Sequence, residues 1–166
     1  LSMVQSNASL LHVIDFEDLL WSKVSCHINE IHHNNTESNL HKLSALKRLI
    51  EYCVTNGLKQ QTIYAAAVLG DLREIKKLLQ EGHFIDENSF GERTGLIIAA
   101  LFNNYELCKF LVEHKAHTMF DDIEHFTAID YTTSKEITQL LKEAGAYTKA
   151  EADKMASDYA DSMDYV

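Results

Sequence analysis

A stretch of this chain repeats itself, and that fact narrows the possible folds more than any other. The segment QTIYAAAVLGDLREIKKLLQEG (61–82) aligns without a gap on TGLIIAALFNNYELCKFLVEHK (94–115) at a constant offset of 33 residues. Self-similarity at such a period marks an array of supersecondary units, each burying its apolar side against the next. In this alignment Leu78 and Leu79 fall on Leu111 and Val112, Ala66 and Ala67 on Ala99 and Ala100, and Ile63 on Leu96. Each copy divides into two helical pieces: a short apolar run around the Ala pair, then a helix whose buried face is marked by Ile75, Leu78 and Leu79. Gly70 separates the pieces, and Gly82 ends the second where a left-handed residue is sterically cheap. The paired alanines permit the close backbone approach that tightly stacked helices need. A third copy, TAIDYTTSKEITQLLKEAG (127–145), keeps Thr127, Ile129, Ile137, Leu140, Leu141 and Gly145 but has lost three residues between its helices.

These residues resemble the ankyrin repeat. Its hallmarks are a Thr-Pro-Leu-His-x-Ala-Ala segment, a Gly turn, a Val/Ile-x-x-Leu-Leu helix and a Gly-Ala-Asp ending. Here GDLREIKKLLQEG (70–82), RTGLIIAA (93–100) and LLKEAGA (140–146) carry the likeness, over about half the chain. The chain departs from the motif at its proline, replaced by Thr62, Gly95 and Ala128, and at its histidine, replaced by Tyr64, Ile97 and Asp130. The side-chain network that the family builds between repeats is thus expected to be partly missing. The fold class expected is all-α: an ankyrin-type helical stack with units at 61–93, 94–126 and 127–147 inside an array spanning 59–147.

On the N-terminal side, Val13, Phe16, Leu20, Val24, Ile28 and Ile31 recur at helical steps, as do Leu40, Leu43, Leu46, Leu49, Ile50, Cys53 and Val54. With the polar HHNNTESN (32–39) between them, they read as a helical hairpin that caps the array over 9–58. Gly57 leaves no room for a β-finger before the first unit. Residues 1–8, with Ser6-Asn7-Ala8, resemble a tag remnant and are expected to be disordered. On the C-terminal side, Thr148 and Glu151 form a capping-box pattern opening a helix over 148–166. Met155, Tyr159 and Met163 could shield the end of the stack, leaving Asp158, Asp161 and Asp164 in water or free to serve as an interaction tail.

Charge then limits the partners. The 25 acidic residues against 15 basic ones give a formal charge of −10, which disfavours a broad phosphate-binding surface, so no nucleic acid is expected. No apolar run approaches the roughly 20 residues needed to cross a bilayer, so no membrane insertion is expected. Cys26, Cys53 and Cys108, odd in number and set among apolar residues, read as reduced core thiols of a cytoplasmic protein. Divergent repeats with helical flanks also resemble injected ankyrin effectors of intracellular bacteria, which would place the chain in a host cytosol.

Chemistry finds little support. HINEIHH (27–33) is the one dense histidine cluster, but the residue four after His27 is Ile31, so the two-histidine helical zinc spacing fails. No cysteine stands beside an obvious base, and there is no Gly-rich phosphate loop, GxSxG or HExxH. Asp121 and Asp122 lie at a turn, where Asp commonly caps a helix or closes a finger. We therefore expect no catalytic residues, no metal and no cofactor.

The ankyrin likeness implies a concave surface made of fingertip residues and the two residues after each Ala pair. Those positions are Val68 and Leu69; Phe90, Arg93, Leu101 and Phe102; and Ile123, Glu124 and Phe126. An exposed strip this apolar, with one Arg, has the make-up of a protein-recognition hot spot. The expected partner is another protein, with acidic flanks favouring one that carries Lys or Arg. The alternatives are that the chain's own ends cover the strip, that two copies self-associate through it, or that the chain is the targeting or dimerising portion of a larger enzyme or secreted effector.

Overall fold

The computed structural model describes residues 37–55, 62–88 and 92–163, together with residues 23, 26 and 30, which are helical. From residue 37 onward the described residues form eight helices: α1 (Glu37–Thr55), α2 (Ile63–Leu69), α3 (Leu72–Gln80), α4 (Gly95–Leu101), α5 (Tyr105–Glu113), α6 (Ala128–Tyr131), α7 (Lys135–Glu143) and α8 (Lys149–Met163). Extended pairing among them is confined to two isolated antiparallel bridges, Asn88 with Thr94 and Asp121 with Thr127, one at the base of each finger.

Every helix of the array starts on a side-chain cap. Thr62 and Thr94 open the inner helices α2 and α4, their Oγ1 atoms accepting from the amides of Ala65 (3.1 Å) and Ile97 (3.4 Å). Thr127 opens α6 by donating both its amide and its hydroxyl to the Asp130 carboxylate. The outer helices α3, α5 and α7 begin at Asp71, Asn104 and Ser134, each accepting from amides of the first turn. The backbone keeps the same period: left-handed φ recurs at Gly70 and Asn103, at Gly82, Lys115 and Gly145, and at Glu92 and His125. The chain thus repeats these turns even where the residue is not glycine, except between the helices of the third unit, where Thr132 is extended.

The inner helices stack in the order α2, α4, α6, and each outer helix packs on its own inner helix. Ala65, Ala66, Ala67, Ala99 and Ala100 are all buried between them. At Gly95 an added Cβ would lie 3.0 Å from Ile63 Cγ2, so α2 and α4 approach closely enough there that a side chain would press Ile63 aside by a few tenths of an ångström. The three residues missing from the third unit come out of its inner helix: α6 has four residues where α2 and α4 have seven. Asn103 fills part of that gap. Its Oδ1 accepts from Thr132 Oγ1 (2.8 Å) and the amides of Thr133 and Ser134 (both 3.1 Å), while its Nδ2 donates to Thr133 Oγ1 (2.9 Å).

The flanks are described in part. In α1, Ile50 is fully buried and the helix lies against α2. The first helix of the expected hairpin, the loop 32–36, residues 1–8 and the Gly57 turn lie outside the described residues, apart from positions 23, 26 and 30. At the C-terminus, Thr148 and Glu151 do form the capping box: the Thr148 amide donates to Glu151 Oε2 (2.8 Å) and the Glu151 amide to Thr148 Oγ1 (3.2 Å). Shielding of the stack by Met155 and Tyr159 is not observed, since they are 57% and 65% exposed. Only the first turn of α8 packs, and residues 153–162 face solvent.

Candidate functional site

The nine residues expected on the concave strip do not share one environment. Val68 is fully buried and Leu101 is 8% exposed, so both belong to the core. The reason is helical geometry: Val68 follows Tyr64 by four residues and Leu101 follows Ile97 by four, which puts each on the buried side of its inner helix. The next residues, Leu69 and Phe102, are half-buried against the core. Phe90 lies outside the described residues.

Arg93 departs furthest from expectation, with no exposed surface at all. Its Nη2 lies 3.0 Å from Asp122 Oδ2 and donates to the Tyr131 hydroxyl at 3.2 Å. The guanidinium also lies over the Tyr131 ring, 5.7 Å from its centroid. Burial works against the charge, but the Tyr131 hydrogen bond and the Asp122 carboxylate outweigh it and hold the guanidinium above its ordinary pKa. Arg93, at the end of the first unit, is therefore a joint to Asp122 of the second and Tyr131 of the third, and not a contact offered to a partner.

Asp122 is the other half of that joint. One oxygen faces Arg93 and accepts the Tyr131 hydroxyl; the other accepts the amides of Glu124 (2.9 Å) and Phe126 (3.2 Å). The His125 amide donates back to the Asp122 carbonyl at 2.8 Å. The turn reading of Asp122 holds, and its consequence is a finger with a fixed shape. Ile123 sits 59% exposed on that finger, with Glu124 half-buried beside it. Phe126 is half-buried, edge-on to Tyr131 at 6.0 Å between centroids.

Two lysines from the flanking helices complete the arrangement. Lys47 of α1 places its ammonium 4.0 Å from the centroid of the Phe102 ring, and burial there lowers its pKa. Lys149, the first residue of α8, donates to the Glu124 carbonyl at 3.0 Å and lies 4.8 Å from the Phe126 centroid. Its amide also donates to Asp130 Oδ1 at 3.0 Å, so the residue standing in the motif's histidine position ties α6 to α8. The strip is thus two groups, Leu69 with Phe102 and Ile123 with Glu124 and Phe126, each flanked by a lysine from an adjoining helix. Neither lysine could be found from the repeat pattern, because both lie outside it.

Among the described residues no His, Cys, Asp and Glu group has the arrangement to hold a metal ion. All of HINEIHH (27–33) except Glu30 lies outside them. Cys108 is buried, which pushes its thiol up to about 12, well away from a nucleophile's range. Cys26 is exposed, contrary to its reading as a core thiol. The side chain of Cys53 lies outside the described set. No helix among the described residues is long and apolar enough to cross a membrane.

No curated protein matches this chain. A family model described as ankyrin repeats (3 copies) does match, over residues 62–152. That span opens at the Thr62 cap and takes in all three stacked helix pairs, the buried Arg93–Asp122 joint and the first turn of α8. With the match covering more than half of the 166 residues and the stacked pairs it requires all in place, the chain belongs to the ankyrin repeat family.

Proposed function

We propose that this chain binds another protein through the surface made by the finger at 122–126 and the C-terminal ends of α2 and α4. Ankyrin repeats in general are non-catalytic modules that bind other proteins. The observation that supports this choice of surface is the finger at 122–126. Its backbone is fixed by the Asp122 carboxylate, yet it carries Ile123 with 59% of its surface in solvent. A large aliphatic side chain on a pre-shaped turn gains by being covered and loses little entropy when it is. Leu69, Phe102 and Phe126 add half-buried apolar surface, and Glu124 gives the finger a negative group. On a chain of formal charge −10, that favours a partner presenting an apolar anchor beside Lys or Arg.

The test compares affinity capture by the wild type, Ile123→Asp and Leu69→Asp from the cells that produce the protein. Ile123 is largely exposed, so its variant should melt with the wild type while losing a defined set of captured proteins. An unchanged set with both variants would sink the proposal.

A further inference from the structure

Two features at opposite ends of the stack stand apart from the finger at 122–126, although the second shares Leu69 with the surface proposed above. The first is α8. Beyond its opening turn the helix is exposed, and Ala152, Met155, Ala156 and Tyr159 recur at three- and four-residue steps along one face. Met155 and Tyr159 are 57% and 65% exposed, and Asp153 and Asp158 flank this stripe on either side. The second is an open groove of about 790 Å³ between α1 and the turn joining α2 to α3. Leu69 and Leu72 line it together with Lys47, Arg48 and Arg73, which include two of the three arginines in a strongly acidic chain. Its carboxylates are Glu51 and Asp71, and Asp71 Oδ1 is already committed to the amides of Arg73 and Glu74.

We infer that the groove receives α8 of a second copy of this chain, with Met155 and Tyr159 on the two leucines and Asp153 and Asp158 facing Arg48 and Arg73. Charge complementarity selects that occupant, since an apolar stripe with acidic edges meets an apolar floor with basic edges. The two halves cannot meet within one molecule. The groove lies at the α1 and α2 end of the stack, whereas α8 is pinned at the other by Lys149 to Asp130 and by Lys142 to Glu151 at 3.0 Å. The contact is heterologous, so association runs head to tail.

Sedimentation across a concentration series tests this, with melting curves as the folding control. Molar mass should rise with concentration for the wild type. Groove reversal (Arg48→Glu, Arg73→Glu) and helix reversal (Asp153→Lys, Asp158→Lys) should each weaken association about tenfold or more. All four positions are exposed, so folding should not change. Mixing the two reversed variants should restore association, because each then carries the complement of the other. Ile123→Asp should associate as the wild type does, which separates this surface from the finger. A monomer at every concentration, association indifferent to both reversals, or a mixture that stays apart would each overturn the inference.

Discussion

Replacing Arg93 by Met leaves the Asp122 carboxylate buried with its cation gone. Both side chains are fully buried, so water cannot reach in to compensate. Breaking a buried pair by removing one partner costs about 3–5 kcal/mol, most of it the uncompensated charge left behind. For an array of this size that corresponds to a fall in melting temperature of at least about 12 °C. The geometry also fixes the sign of a second change. With Met at 93, Asp122→Asn removes the stranded charge, keeps an oxygen for the amides of Glu124 and Phe126, and turns an N–H toward the Tyr131 hydroxyl. The double variant should therefore regain about 1–2 kcal/mol over Arg93→Met alone. With Arg93 present, Asp122→Asn should destabilise, because the guanidinium then loses its counter-charge. Urea titrations followed by circular dichroism read all four proteins. Arg93→Met within about 1 kcal/mol of wild type, or additive effects in the double variant, would refute the buried joint.

Other perturbations follow from the turns and caps. Lys115 holds φ +69° where Gly82 and Gly145 stand in the neighbouring units, so Lys115→Gly should stabilise by about 0.5–1 kcal/mol in the same titration. Asn103→Gly keeps the left-handed turn but deletes the four hydrogen bonds to residues 132–134, and should cost about 1–3 kcal/mol; no change would mean the shortened unit does not lean on Asn103. The Thr148 amide, the Lys142 ammonium and the Thr148 hydroxyl together hold Glu151 below the usual glutamate range. Its support of α8 is thus complete above the unfolded value of about 4.3 and is lost as pH falls through the lower folded value. Helicity near 149–163, followed by NMR, should drop in that acid window, and Glu151→Gln should abolish the pH dependence.

What could be read from the residues was whatever repeats. The 33-residue period, the inner and outer helices, the break at Gly70, the left-handed end at Gly82 and the loss of three residues in the third unit depend on local pattern, and each has its counterpart in the helices and φ angles. The capping box at Thr148 was equally local. Contacts between units were not visible in this way. Arg93 looked like a surface anchor because its partners Asp122 and Tyr131 lie 29 and 38 residues away, and only stacking brings them together. Val68 and Leu101 were misplaced for a smaller reason: counting two residues past the Ala pair ignores that the first of them lies one helical turn from Tyr64 or Ile97. Lys47 and Lys149 come from helices outside the period, so no alignment of the units could have brought them to Phe102 and Phe126.

Amide hydrogen exchange of the native protein, resolved residue by residue, probes the stacked array and its fixed finger together. Slow exchange should run through α2 to α7, and the amides of Glu124 and Phe126, though on a surface turn, should be protected by Asp122 nearly as well as those of the helices. Exchange at those two positions as fast as in an open loop, or across α4 and α5 as fast as in an unfolded chain, would contradict a rigid stack that holds Ile123 ready for a partner.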